Sequence, residues 1–305
     1  MTTQLRATAT VKNDQRALLL GLCAVLLWST AATAFKLALR ELSVLQLLCV
    51  AIWISTLALL ITLAWQGRLE LLWRELCATP LRFLAMACLN PLLYYCILLA
   101  AYDRLPAQQA QTINYTWAIM LALLSVPVLG QRLVSRDWLA VISGYLGVVV
   151  IATEGNPFSL QFTSVVGVAL ALSSTVIWAV FWLLSTRSKG DPTISLAAYF
   201  VCAAPLSLAL CLVWGGGLPE VGTGLLSAVY VGLFEMGFTW LLWSTALQTA
   251  SNVSRVGNLI FLSPMLSLVF IALILGEAIH PATLVGLALI VPGIILQQRS
   301  SSATS

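Results

Sequence analysis

The sequence predicts an all-α polytopic membrane protein whose ten transmembrane helices form two inverted five-helix repeats. Composition is the first reason. Of the 305 residues, 60% are hydrophobic and 9% charged, and mean hydropathy is +0.98, which leaves no soluble domain. The second reason is the length of the apolar runs, each near the ~20 residues that cross the hydrocarbon core of a bilayer. The third is an internal echo: residues 247–298 repeat the order of features in 102–153 at an offset of 145 to 146 positions.

On that register LGQRL at 129–133 answers LGEAI at 275–279. Each leads into an apolar span with two glycines, Gly144 and Gly147 in one and Gly286 and Gly293 in the other. Gln108 pairs with Ser254, Thr112 with Asn258, Tyr115 with Phe261, and Asn90 with Glu235. Each half holds five spans, and an odd number makes the second half enter the membrane the opposite way. Inverted repeats are the plan of secondary transporters, with the site near mid-membrane between the halves.

Residues 1–16 form a polar tail. The first repeat, 17–153, opens with a span at 17–39 carrying Ser29, Thr30 and Thr33 beside Trp28. Its STAATA at 29–34 also fits a signal-peptidase site, but nine further spans favour a retained helix. The span at 44–66 is plainly apolar and suits lipid contact. Within the connection 67–80, LELLWREL reads as a short interfacial helix with Trp73 at headgroup depth. The span at 81–101 carries Asn90, Pro91, Tyr94 and Tyr95, and its proline should bend it beside a cavity. The fourth span, 107–130, is the most polar, with Gln108, Gln111, Thr112, Asn114, Tyr115 and Trp117. Such side chains in lipid must face protein or water, as helix-to-helix glue or as a pathway lining. The fifth span, 137–153, is a packing helix whose Ala140/Gly144 and Ser143/Gly147 pairs admit a close neighbour.

Residues 154–163 link the halves, and the second repeat, 164–297, follows the same order. Its first span, 164–186, combines Ser173, Ser174 and Thr175 with a central Trp178. The next, 193–214, is apolar apart from Pro205. The span at 223–245 holds Glu235 deep among Phe234, Phe238, Trp240 and Trp243; 253–275 carries Asn258, Ser263 and Pro264; 282–297 closes the bundle before a tail at 298–305.

Of fifteen Lys and Arg residues, only Lys36, Arg40 and Arg104 fall on one side of this topology. The positive-inside rule therefore puts both termini in the cytoplasm and the 154–163 linker on the far side. A net charge of +4 gives no support for a nucleic-acid partner. The seven cysteines have no metal-ligand spacing and read as buried free thiols, and a single histidine, His280, supplies neither a metal site nor a Ser/His triad. No cofactor, metal or catalytic residue is expected.

WST at 28–30, NYTW at 114–117, SP at 263–264 and LGE at 275–277, in this order along ten spans, resemble the drug/metabolite transporter superfamily. Within it the pattern is similar to the EamA-type bacterial aromatic amino-acid exporters. Two departures are Ala118, where the family often has proline, and Gln131, in place of the first-half glutamate of LGE. The resemblance implies a multi-pass inner-membrane protein that exports aromatic and other neutral amino acids through a central cavity by alternating access. Other small metabolites or drugs are the alternative substrates; a channel is the rival mechanism and an intramembrane enzyme the rival class. The expected partners are the amino-acid substrate and the lipid bilayer, with a monomer as the working unit.

The residue chemistry agrees with this reading. A zwitterion needs neutral donors and acceptors, which Ser29, Asn90, Thr112, Asn114 and Asn258 supply. Trp28, Tyr94, Tyr115, Trp117, Trp178 and Trp240 can stack on a ring and attract an ammonium group. Trp65, Trp73, Trp138 and Trp214 are discounted as fillers. Glu235 either binds ammonium or a proton, or is a structural acid matched by Asn90. Because Asn114 and Tyr115 lie about 100° apart on a helix, only one is expected to point into a narrow cavity: Thr112 and Tyr115 face it, while Asn114 and Trp117 brace its edge.

Overall fold

Asn13 sets the start of the first helix. Its Oδ1 accepts the Arg16 backbone N–H at 3.0 Å, so Asp14–Leu39 begins three residues ahead of the apolar run. The computed structural model describes residues 13–130, 135–156, 163–186, 190–251 and 256–301, and among these the only regular structure is helical. The QRL of LGQRL, most of the linker between halves, residues 187–189, Ser254 and Arg255, and most of both tails lie outside the described residues.

Seven helical segments are long and apolar enough to cross a membrane: Asp14–Leu39, Val44–Trp65, Pro80–Arg104, Val165–Ser185, Pro192–Trp214, Thr223–Thr249 and Asn258–Leu275. The chain is thus a multi-pass membrane protein. Trp138–Ala152 and Pro281–Gly293 are shorter apolar helices. The expected interfacial helix forms as Leu69–Ala78 with Trp73 exposed. The last helix, Pro281–Ser301, continues four residues beyond its expected end at Gln297.

The fourth apolar run is not the continuous helix its length suggested. Ala107–Asn114 ends, Tyr115 and Thr116 make a tight turn, and Trp117–Leu129 resumes. Thr116 donates to the Ile113 carbonyl twice, from Oγ1 at 2.8 Å and from its N–H at 3.1 Å, so a polar side chain and a tight turn take over a helical acceptor. At the matching place in the second half, Asn258–Phe261 is a short 3₁₀ turn ahead of Leu262–Phe270. Pro264 there offers no N–H to the Ile260 carbonyl.

The third and eighth runs also break at matched positions. Cys88–Leu93, around a cis Asn90–Pro91 bond, and Val231–Glu235 are both wide π-helical turns. Gly130 and Gly276 each end a helix in the same left-handed conformation, φ 70° and ψ 18°, which glycine adopts without a Cβ clash.

Packing follows the same register. The first helix lies against Thr223–Tyr230, Phe238–Thr249 and Leu262–Phe270, while Val165–Thr186 lies against Tyr94–Arg104 and Trp117–Leu129. Val44–Trp65 packs on Pro192–Trp214, and Ser135–Ala152 on Pro281–Ser301. The last pair approaches through glycine, since a Cβ on Gly147 would sit 2.7 Å from the Gly286 carbonyl oxygen. Ala140 and Ser143 meet Gly293, whereas Gly144 faces Ile119 rather than the last helix. The cysteines are free as expected, but only Cys49 and Cys211 are buried; Cys23, Cys77 and Cys88 are exposed because their helix faces turn outward.

Between the first two helices, Glu41 accepts the Gly224 N–H at 2.6 Å and the Thr223 hydroxyl, capping the helix that begins there. These two donors, the hydroxyl foremost, hold the Glu41 carboxyl below its ordinary value of 4.5. A carboxyl depressed in the folded state contributes stability above its unfolded value and loses it as pH falls through the folded one. The melting-temperature difference between wild type and Glu41→Gln should therefore be constant above pH 5 and close progressively at more acidic pH. A second thermal test compares glycines. Gly147→Ala should lower the melting temperature by several degrees, about the shift of 1–2 kcal/mol, while Gly257→Ala, with nothing within 4 Å of the new methyl, should leave it unchanged.

Candidate functional site

The four broken runs and the first and sixth spans enclose a cavity of about 300 Å³. Eight of the twelve expected residues line it: Trp28, Tyr94, Asn114, Tyr115, Trp117, Trp178, Glu235 and Trp240. Its wall is a connected set of rings. Trp178 stacks on Tyr94 with centroids 4.4 Å apart and meets Trp240 at 5.8 Å and Trp117 at 6.5 Å. Trp28 meets Trp240 edge-on at 5.6 Å and Trp243 at 5.5 Å.

The polar groups are few and specific. Asn114 donates from Nδ2 to Ser174 Oγ at 2.9 Å, and Ser267 donates to Gln111 Oε1. Glu235 sits at the end of its wide turn, where Oε1 accepts the Tyr95 hydroxyl at 3.2 Å and the buried Oε2 has no hydrogen-bond partner. Among the described residues the lining holds this one carboxylate and no lysine, arginine or histidine. An acidic group with an open oxygen among aromatic faces can meet either a proton or a cation.

The remaining four expected residues lie elsewhere. Ser29 is buried against the Val25 carbonyl at 2.6 Å and Ser263 Oγ at 3.3 Å. Thr112 is buried and donates to the Gln108 carbonyl at 2.7 Å, so its hydroxyl is spent on its own helix. Asn258 is exposed on its 3₁₀ turn, and Asn90 lines a neighbouring cavity. The expectation for the fourth run is thus reversed for Thr112, Asn114 and Trp117. The helix ends between Asn114 and Tyr115, and the cavity wraps round that end, so both side chains reach it.

Sequence reasoning missed Gln111, Trp182 and Trp243 as lining residues. Helical spacing offered a signal for two of them: Trp182 is one turn beyond Trp178, and Gln111 one turn before Asn114. The discounted tryptophans are all exposed, from Trp73 at 47% to Trp65 at 87%.

Further polar contacts tie the helices together. Lys36 Nζ donates to the carbonyls of Tyr102 at 2.8 Å and Leu105 at 3.0 Å. Beside it the Gln108 amide donates to the Ala278 carbonyl at 3.0 Å and accepts from the His280 N–H and the Thr283 hydroxyl, both at 2.9 Å. The Ala107 N–H reaches Glu277 Oε1 at 3.1 Å. Asp14 accepts the Ser251 N–H at 2.8 Å and hydroxyl at 2.6 Å, and Arg68 pairs with Asp191 at 2.7 Å.

The sequence profile of the EamA-like transporter family matches residues 15–153 and again 165–297. A Bacillus subtilis (strain 168) protein described as the uncharacterized transporter YvbV is 28% identical over 226 residues, 72% of each chain. The aromatic amino acid exporter YddG of Ancylobacter novellus is 25% identical over 201 residues, 66% of this chain and 70% of that one. A solved crystal structure with 22% identity superposes with a TM-score of 0.68 over 96% of this chain and all of its own, and so shares the fold.

Proposed function

Because this chain belongs to the EamA-like transporter family, we propose that it exports aromatic and other neutral amino acids across the bacterial inner membrane by alternating access through the central cavity. The observation that carries the reading is the lining itself, with its linked tryptophan and tyrosine rings, a few neutral amides and one carboxylate with an open oxygen. The ring of the substrate stacks among Tyr94, Trp178 and Trp240, its ammonium group meets Glu235, and Gln111 and Asn114 donate to its carboxylate. A similar protein, from Ancylobacter novellus, is named as an aromatic amino acid exporter, which supports the reading.

On this reading the mechanism runs on ten spans in two inverted repeats. The matched helix breaks, the matched glycine caps and the reciprocal packing of the halves are what such a pair of repeats would produce. With both termini in the cytoplasm, as the basic residues favour, the Lys36–Gln108–Glu277 network is the outer gate and the Asp14–Ser251 contacts belong to the inner one. Transport then requires each network to break in turn.

A second reading is an organic amine without a carboxylate, such as a cationic drug, because no basic side chain stands among the described lining residues. Inhibition by phenylalanine and by phenethylamine separates the two: amino-acid export requires phenylalanine to compete the better.

Uptake of labelled phenylalanine into inverted membrane vesicles at matched expression tests the assignments. Glu235→Gln should lower transport by about tenfold, the effect of ~1.4 kcal/mol of lost ammonium binding. Tyr115→Ala should alter the preference between phenylalanine and tryptophan. Trp178→Ala should reduce transport more than Trp138→Ala, and equal losses for the two would mean that tryptophan acts through stability alone.

A further inference from the structure

Gln111 brings an amide to the lining of the central cavity. With its oxygen inward such a group repels a carboxylate and accepts from an ammonium group; with its N–H groups inward it does the reverse. The last torsion of glutamine is broad and roughly two-fold, so the side chain alone does not choose between the two.

The choice is made from the ninth span. Ser267 is fully buried, does not line the cavity, and donates its hydroxyl to Gln111 Oε1. Two N–H groups then remain on Nε2. The Tyr115 hydroxyl, also in the lining and bonded to the Gln111 side chain, takes one, and the other is left to a ligand.

Two observations set the Ser267 bond apart from ordinary helix packing. The hydroxyls of Ser29, Ser55, Thr112 and Ser174 turn back on their own helices, each donating to a carbonyl three or four residues earlier at 2.6 to 2.8 Å. Ser267 donates instead to a side chain from the other half of the chain. Nor is the pair a by-product of the repeat. On the register that matches Tyr115 with Phe261, Gln111 answers Gly257 and Ser267 answers Leu121, so neither polar partner has an equivalent.

We propose that Ser267 is a positioning residue for substrate choice. By holding the Gln111 oxygen away from the cavity it keeps N–H donors toward it, and so makes the site select a substrate that carries a carboxylate. Ser267 touches no ligand itself and acts wholly through Gln111. This rests on the export reading above.

Equilibrium binding of phenylalanine and of phenethylamine to the purified full-length protein in lipid nanodiscs tests it. Phenethylamine keeps the ring and the ammonium group and lacks the carboxylate. Wild type should bind phenylalanine the tighter. Ser267→Ala should weaken phenylalanine by about tenfold, or ~1.4 kcal/mol, and leave phenethylamine unchanged, a change of preference that lost packing would not produce. Gln111→Leu should lose at least as much phenylalanine affinity, and adding Ser267→Ala to it should cost nothing more. Equal losses for the two ligands, no loss for either, or a further tenfold loss in the double variant overturns the positioning role and leaves the export reading standing. Phenethylamine as the tighter ligand of wild type, or no saturable binding of phenylalanine, overturns the export reading and the positioning role with it.

Discussion

In hydrocarbon every backbone N–H and C=O must be paired inside the protein, so a membrane helix can break only where protein or a cavity covers the break. Much of this structure follows from that constraint. The interruptions at Tyr115 and Thr116, at 231–235 and at 258–261 supply lining residues of the aromatic cavity, that at 88–93 borders a neighbouring cavity, and a further wide turn, Ile271–Leu275, ends the ninth run; none falls in the plainly apolar second and seventh spans. The break after Asn114 lets the cavity wrap round a helix end. Asn114 and Tyr115 both reach the cavity for this reason, and Glu235 is presented at the end of a wide turn.

The cavity's electrostatics follow from its depth. Glu235 has one oxygen satisfied by Tyr95 and the other open, so its charged form at this depth costs energy unless a proton or a cation meets it, and the surrounding ring faces favour positive charge. Removing the partner of such a group has a larger effect than adding a neutral hydrogen bond elsewhere. Ser267 on the Gln111 oxygen and Ser174 on one Asn114 N–H fix these two amides, which keep further N–H groups.

Apolar run length and the 145-residue echo were enough to read the helical membrane fold and the matched halves from sequence. The tryptophans could be sorted as well, because Trp28 and Trp178 hold equivalent places while Trp65 and Trp214 sit at span ends. The interior of the fourth run was not legible. Nothing in the periodicity shows that Thr116 will hold the Ile113 carbonyl, and without that break Thr112 looks like a lining residue and Asn114 like a brace. Ser29 failed for a similar reason, since a serine in a membrane helix can bond its own turn, and here Val25 takes the hydroxyl. Asn258 failed because the helical phase that placed it is lost in a 3₁₀ turn.

Counterflow in proteoliposomes tests the central claim most directly. Vesicles loaded with unlabelled phenylalanine should take up labelled phenylalanine faster than empty ones, with a rate that saturates, because a carrier returns faster when occupied. A flux that rises linearly with concentration and ignores internal phenylalanine would contradict alternating access through this cavity, and no phenylalanine flux at all would contradict the substrate.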